Sequence, residues 1–166
     1  MKAIIIYATK HGAVEKVSLI LKERLGWEIP TIDITKEEAP SLEGYDTVII
    51  GGSIYIGNVQ KELVKYMHDH ISELLEKRLG LFLCAGHPDP KVLEDEMKRA
   101  FPNSLYYHAL AKEIFGYEFD FNKMNFLEKL TIRNVAHIRE SQFALSDDKI
   151  DEFAKILKGE QEPSLA

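Results

Sequence analysis

Short apolar runs without alternation recur along the chain, and each ends in a loop of glycine, small or polar residues. Ala3 to Tyr7 is such a run, the pattern of a strand covered on both faces. The polar stretch Ala8-Thr9-Lys10-His11-Gly12 follows. A helical period then runs through Val14, Val17, Leu21 and Leu25 until Gly26 stops it. Ile29 to Ile34 predicts a short second strand, and Lys36 to Gly44, polar and carrying Pro40, predicts a loop. Thr47 to Ile50 predicts a third strand ending in Gly51-Gly52-Ser53, and Val59 to Leu79 has helical spacing. Leu81 to Ala85 is the next buried run, ending at Gly86-His87-Pro88. A helix is expected over about Pro90 to Phe101, and a fifth strand over Leu105 to Leu110. Ser146 caps a last helix reaching about Leu157, with Asp147 and Asp148 in the first turn, where the helix dipole favours acids.

Buried strands alternating with helices describe a doubly wound, five-stranded parallel sheet with helices on both faces. One domain over 1–158 is expected, with a loose polar tail over 159–166. In this architecture ligands bind outside the carboxyl ends of the strands, where the strand order reverses. The loops after strands one, three and four are therefore the informative ones.

Composition narrows the function classes. The 166 residues are 45% apolar and 29% charged, with formal net charge −6 and a single cysteine. A chain of this length buries about two-thirds of its unfolded surface and needs no disulfide or structural metal. Together with the lone cysteine, this fits a reducing, cytoplasmic setting. The mild acidity, without clustered cations, argues against nucleic acid as a partner. No apolar run approaches the ~20 residues of a membrane span.

The first loop, Ala8 to Val14, offers backbone amides and a helix N-terminus to an anion. Thr9 adds a hydroxyl, and Gly12 lets the backbone approach. An ordinary βα turn with one glycine would look the same. The chain has no Gly-x-Gly-x-x-Gly and no P-loop Lys-Ser/Thr. In the second loop, Gly51-Gly52-Ser53-Ile54-Tyr55-Ile56-Gly57-Asn58, three glycines surround an apolar trio where loops are normally polar. A flat ring system would bury that trio, as would packing against the protein itself. In the third, Cys84-Ala85-Gly86-His87-Pro88-Asp89, small residues permit close approach of a ligand. His87 could donate to a ring carbonyl or assist proton transfer, or be a plain loop histidine. Cys84, inside an apolar run, is expected to be a buried small hydrophobe.

Ile5-Ile6-Tyr7-Ala8-Thr9-Lys10-His11-Gly12 resembles the flavodoxin signature, in which an apolar strand end precedes Ser/Thr-x-x-Gly and the loop holds the FMN phosphate. Gly51 to Tyr55 resembles the second flavodoxin loop, whose aromatic residue stacks on the isoalloxazine, and Cys84 to Asp89 lies where that family covers the other edge of the flavin. The Gly-x-Ser-Ile-x-x-Gly loop over Gly51 to Gly57 is similar to that of the menaquinone-dependent, flavodoxin-type protoporphyrinogen oxidases, which also carry an insertion before the last helix. The resemblance implies a flavodoxin-like fold that binds FMN without a covalent bond. Thr9, Lys10, His11, Gly12, Ala13 and Val14 would hold the phosphate. Ser53, Ile54 and Tyr55 would line the ring, with Ala85, Gly86 and His87 near its polar edge, and His87 would be the catalytic candidate. Val14 replaces a usual Thr and Ala13 a common Asn, so two phosphate donors are missing; each such bond is worth about 1.5–3 kcal/mol. Lys10 and His11 either compensate by charge or leave the FMN weakly held. With His87 they would favour the reduced anionic flavin and raise its midpoint potential.

Seven of the sixteen aromatic residues lie between Tyr106 and Phe126. From Phe115 to Phe121 they alternate as a strand would, continuing strand five, and Met124, Leu127, Leu130 and Val135 then fit one helical face. The insertion, about 112–139, reads three ways: a subdomain burying its own aromatics, an apolar wall for a flat substrate such as a porphyrin or quinone, or a homodimer face. Its five Lys/Arg against four Asp/Glu make no membrane-docking patch. Two functions follow: an FMN-dependent oxidoreductase passing electrons from a flat apolar substrate to a quinone or other acceptor, or an electron-transfer module serving a redox partner protein. His68-Asp69-His70 makes no metal pair, because neighbours two apart on a helix face different ways. Acidic residues are absent after strands one and three, which excludes a phosphoacceptor receiver, and Ser53 lacks a Gly-x-Ser-x-Gly elbow.

Overall fold

The computed structural model describes residues 1–119, 125–135 and 142–160. Five parallel strands form the central sheet: β1 (Ala3–Tyr7), β2 (Thr31–Asp33), β3 (Thr47–Ser53), β4 (Arg78–Cys84) and β5 (Ala111–Ile114). Their order is β2-β1-β3-β4-β5, so the chain steps outward from β1 to β2 and then returns to the other side of β1. That reversal opens a crevice at the carboxyl ends of β1 and β3.

The non-alternating runs are explained by burial on both faces. Ile5 and Tyr7 point to one side, against Val14, Val17, Leu21 and Leu25 of α1 (Ala13–Leu25) and Ile150, Phe153 and Leu157 of α7 (Asp147–Lys158). Ile4 and Ile6 point to the other, against Leu63 and Met67 of α2 (Lys61–Asp69), Leu74 of α3 (Ile71–Leu74), Met97 of α4 (Pro90–Ala100) and Leu105 of α5 (Asn103–His108). All of these except Tyr7 and Met97 are at most 1% exposed.

Several elements differ from the sequence reading. Leu105 to Leu110 is not the fifth strand: its first part is α5, with Leu105 turned inward and Tyr107 left 77% exposed. The strand is the next segment, Ala-Lys-Glu-Ile, at the edge of the sheet. Edge strands carry charge that masks their pattern. The single helix expected over Val59 to Leu79 breaks at His70, whose ring stacks on Tyr66 with centroids 4.3 Å apart, and its last two residues belong to β4. The third and fourth strands run to Ser53 and Cys84, and the second is only three residues long.

The alternating aromatic segment does not continue β5. Phe115 is fully buried, with its ring 5.2 Å from Phe82 and 5.3 Å from Phe153, and it anchors the insertion to the core. The chain then forms β6 (Gly116–Phe119), paired antiparallel with β7 (Gln142–Leu145), a strand without a clear sequence signal. Gly116 has φ +98°, and a Cβ there would stand 2.0 Å from the Ala144 carbonyl oxygen, so this pairing requires glycine. Between β6 and β7 lies α6 (Phe126–Val135). Leu127 and Leu130, read as one apolar helical face, are 71% and 44% exposed; Phe121 and Met124 lie outside the described residues. Ser146 caps α7 as expected, accepting from the Lys149 amide. No helix among the described residues is long and apolar enough to cross a membrane.

Gly116→Ala combines backbone strain with a clash, a cost of about 1–3 kcal/mol. A drop in melting temperature of about 3–10 °C, followed by circular dichroism, is the expected outcome. An unchanged value would show that the β6–β7 pairing does not depend on this glycine.

Candidate functional site

Three loops meet at the carboxyl ends of β1, β3 and β4. The first begins at Ala8, whose amide donates to Gly51, tying it to the end of β3. Thr9 Oγ1 accepts from the Gly12 amide at 3.0 Å, which closes the loop and leaves its own hydrogen for an anion. Gly12, at φ +91°, is the N-cap of α1, and no side chain caps that terminus. The first amides of a helix have no intrahelical partner, so this end offers donors and a positive dipole. Val14 is fully buried in the core beneath it; only its amide could serve a phosphate.

The second loop is braced by Gln60. Its side-chain amide donates to Ser53 Oγ at 2.8 Å, and its carbonyl oxygen accepts from the Ser53 amide at 3.2 Å. Tyr55 and Asn58 exchange backbone bonds, with Ile56 at φ +50° between them and 55% exposed. Lys10 reaches across from the first loop and sets its ammonium 3.4 Å from the Tyr55 ring centroid. His11 meets the same ring edge-on, 6.3 Å between centroids.

The third loop leaves β4 through Cys84 and Ala85, both buried, and turns at Gly86. Tyr117 of β6 lies directly on it: a Cβ at Gly86 would stand 2.2 Å from the Tyr117 ring. His87 Nδ1 accepts from the Asp89 amide at 3.0 Å, so in the neutral ring the proton sits on Nε2. Asp89 in turn caps α4 by accepting from the Lys91 amide at 2.9 Å.

The structure thus gathers Thr9, Lys10, His11, Ala13, Ser53, Ile54, Tyr55, Ala85 and Gly86 around one cleft, joined by Cys84 and Tyr117. His87 faces a different space, a cavity of about 530 Å³ on the far side of Tyr117. Its walls include Leu93, Met97, Ile114 and Tyr106, with Lys112 and Lys149 among its charged groups. Ala85, Gly86 and Tyr117 border both spaces. Tyr117 and Glu128 are the residues that sequence reasoning missed. Glu128 sets its two carboxylate oxygens 3.5 Å from Lys10 Nζ and 3.5 Å from His11 Nε2. Aromatic density marked the segment that carries Tyr117; no local pattern marked Glu128 as a partner of the first loop.

The donor chemistry fits a phosphate: the α1 N-terminus without a side-chain cap, the Thr9 hydroxyl hydrogen and Lys10 all belong to the first loop. The free volume of the cleft is about 40 Å³ against the roughly 300–1,000 Å³ of ligand pockets, and Tyr117 and Lys10 are among the side chains that line it. Accommodation of a ring therefore requires these side chains to move.

These features define an open, doubly wound α/β domain with an anion-binding loop and an aromatic-lined cleft at its topological switch point. The chain belongs to the flavodoxin-domain family, whose model matches residues 4–146. Membership implies a flavin cofactor, typically FMN. Among solved structures, two-electron-reduced Megasphaera elsdenii flavodoxin is similar with a TM-score of 0.60 at 12% identity, covering 95% of this chain and 98% of that one. Oxidised flavodoxin 1 from Bacillus cereus is similar with a TM-score of 0.53 at 14% identity, covering 98% of this chain and 100% of that one. In sequence, the chain is 27% identical over 77 residues to protoporphyrinogen IX dehydrogenase (quinone) of Escherichia coli K12. That match spans 45% of this chain and 42% of that protein.

Glu96 lies beneath the third loop on α4, 7% exposed, and burial pushes its pKa up, with His87 and Arg99 opposing by their charge. A carboxyl raised in the folded state binds its proton more tightly than in the unfolded chain. Stability therefore falls as pH rises from the ordinary glutamate range through the raised value, and the penalty is complete above it. Glu96→Gln removes that penalty. The expected result is a melting temperature about 2–4 °C above wild type at pH 7, converging with wild type near pH 4; a constant offset across pH would refute the assignment.

Proposed function

We propose that this protein is an FMN-dependent oxidoreductase that takes electrons from a flat, largely apolar substrate and passes them to a quinone or another acceptor. The observation that carries this reading is the cavity of about 530 Å³ that shares Ala85, Gly86 and Tyr117 with the flavin cleft. A plain electron carrier has no use for a second, mostly apolar chamber beside its flavin. Partial sequence similarity to protoporphyrinogen IX dehydrogenase (quinone) supports a protoporphyrinogen-like substrate, and the cavity has the volume expected of a small-molecule site.

A bound flavin supplies acceptance and release of electrons; the chain binds, orients and excludes water. Thr9, Lys10, His11 and the Ala13 and Val14 amides hold the phosphate, with Gly12 letting the backbone approach it. Ser53, Ile54 and Tyr55 line one side of the ring, and Ala85 and Gly86 the other. The geometry of His87 favours a hydrogen-bond donor over a proton carrier. Its one basic nitrogen in the neutral ring is already engaged by the Asp89 amide, which directs Nε2–H outward as a donor.

The second reading is an electron-transfer module serving a protein partner. The exposed Phe126, Leu127 and Leu130 on α6 favour it, since an apolar surface of this kind suits docking.

The deciding experiment is visible absorption of the purified protein with FMN, followed by oxidation of protoporphyrinogen with a quinone acceptor. Flavin bands perturbed on binding and FMN-dependent turnover are expected. Flavin binding with indifference to porphyrinogen would leave the electron-transfer module. His87→Ala should raise KM for the porphyrinogen about tenfold, the equivalent of one hydrogen bond of ~1.4 kcal/mol to a ligand in the larger cavity, and leave the midpoint potential of the bound flavin unchanged. A lowered potential would place His87 against the flavin instead.

A further inference from the structure

Two residues between β5 and α7, Tyr117 and Glu128, reach the two ends of the candidate flavin cleft. At the phosphate end, Glu128 presents one oxygen to Lys10 Nζ and the other to His11 Nε2, each at 3.5 Å, and its side chain is 16% exposed. At the ring end, the aromatic side chain of Tyr117 lies on the Gly86 backbone and lines the cleft, whose free volume is about 40 Å³. A carboxylate thus engages Lys10 and the His11 ring of the anion loop, and an aromatic ring lies against the loop expected to flank a flavin.

We propose that this segment is an intramolecular stand-in for the flavin, with Glu128 in place of the phosphate and Tyr117 in place of the ring. Flavin binding and docking of the segment on the loops then exclude each other. The inference rests on the flavin reading of the loops. It adds that the chain closes its own cleft and that FMN displaces the closure.

Glu128 is held for this role by α6 itself. The Asn125 amide donates to Glu128 Oε2 at 3.3 Å, and the Glu128 amide donates to Asn125 Oδ1 at 2.9 Å, a reciprocal capping pair at the helix start. The carboxylate that caps α6 is therefore the one that engages Lys10 and His11. A phosphate with a greater negative charge competes for the same cations and also gains the α1 amides, so it prevails when FMN is abundant. Its arrival removes the Glu128 contacts to Lys10 and His11.

The test compares FMN affinity, by quenching of flavin fluorescence, in wild type, Glu128→Gln and Tyr117→Ala. Glutamine keeps the acceptor of the capping pair while removing the charge, so α6 stays intact. FMN should bind Glu128→Gln about tenfold more tightly than wild type, and Tyr117→Ala more tightly as well. A second readout is tryptic cleavage after Lys129. FMN should accelerate it in wild type, the reverse of the protection a ligand usually gives. Equal or weaker binding by Glu128→Gln, or protection at Lys129, overturns the proposal while leaving the flavin reading intact. If no form binds FMN, the flavin reading falls, and inorganic phosphate decides the competition. A larger thermal upshift in Glu128→Gln than in wild type upholds it, and equal upshifts overturn it.

Discussion

Burial of β1, β3 and β4 on both faces is the constraint from which the rest follows. Ile4, Ile5, Ile6, Ile49, Ile50, Leu81, Phe82 and Leu83 are all fully enclosed. At about 1.5–3 kcal/mol for each large apolar side chain, the helices cannot leave either face without a prohibitive loss. Chemistry is thereby confined to the strand ends. There backbone amides are uncommitted and loops can vary without disturbing the core.

The same constraint explains the root of the insertion. Phe115 completes an aromatic cluster with Phe82 and Phe153, and the Phe82 ring fits only because Gly51, its cross-strand neighbour, has no side chain. From this anchor the chain emerges beside Ala85, whose amide donates to the Gly116 carbonyl at 2.8 Å. Tyr117, two residues beyond Phe115, is thus delivered to Gly86 by core packing rather than by any property of the loop. A buried residue just past the end of β5 sets the position of a ring at the cleft.

Much of the sheet was legible because two-sided burial writes an unmistakable pattern: the runs at Ala3 to Tyr7 and Leu81 to Cys84 have no other economical meaning. β5 was displaced by one segment because Ala-Lys-Glu-Ile is an edge strand, half of it charged, whereas Leu105-Tyr106-Tyr107 just before it carries the stronger β propensity yet coils as α5. The loops after β1, β3 and β4 were readable as a site through glycine, hydroxyl and apolar residues in places where plain turns need none. Nothing local could reveal Glu128. It meets Lys10 across more than a hundred residues of sequence, and a glutamate three residues into a helix reads only as a capping residue. Long-range pairing of charges is a property of the folded chain.

The shared wall has a thermodynamic consequence. Tyr117 borders both the flavin cleft and the larger cavity, so an arrangement that opens one alters the shape of the other. Two ligands that bias the same element must influence each other's affinity by equal factors. On the proposed function, a flavin that displaces Tyr117 from Gly86 would reshape the chamber that includes His87, Leu93 and Met97, and a substrate that prefers the reshaped chamber would in return tighten the flavin. On the same reading, Val14 and Ala13 give the phosphate loop fewer side-chain donors, so the flavin's hold would be adjustable through Tyr117.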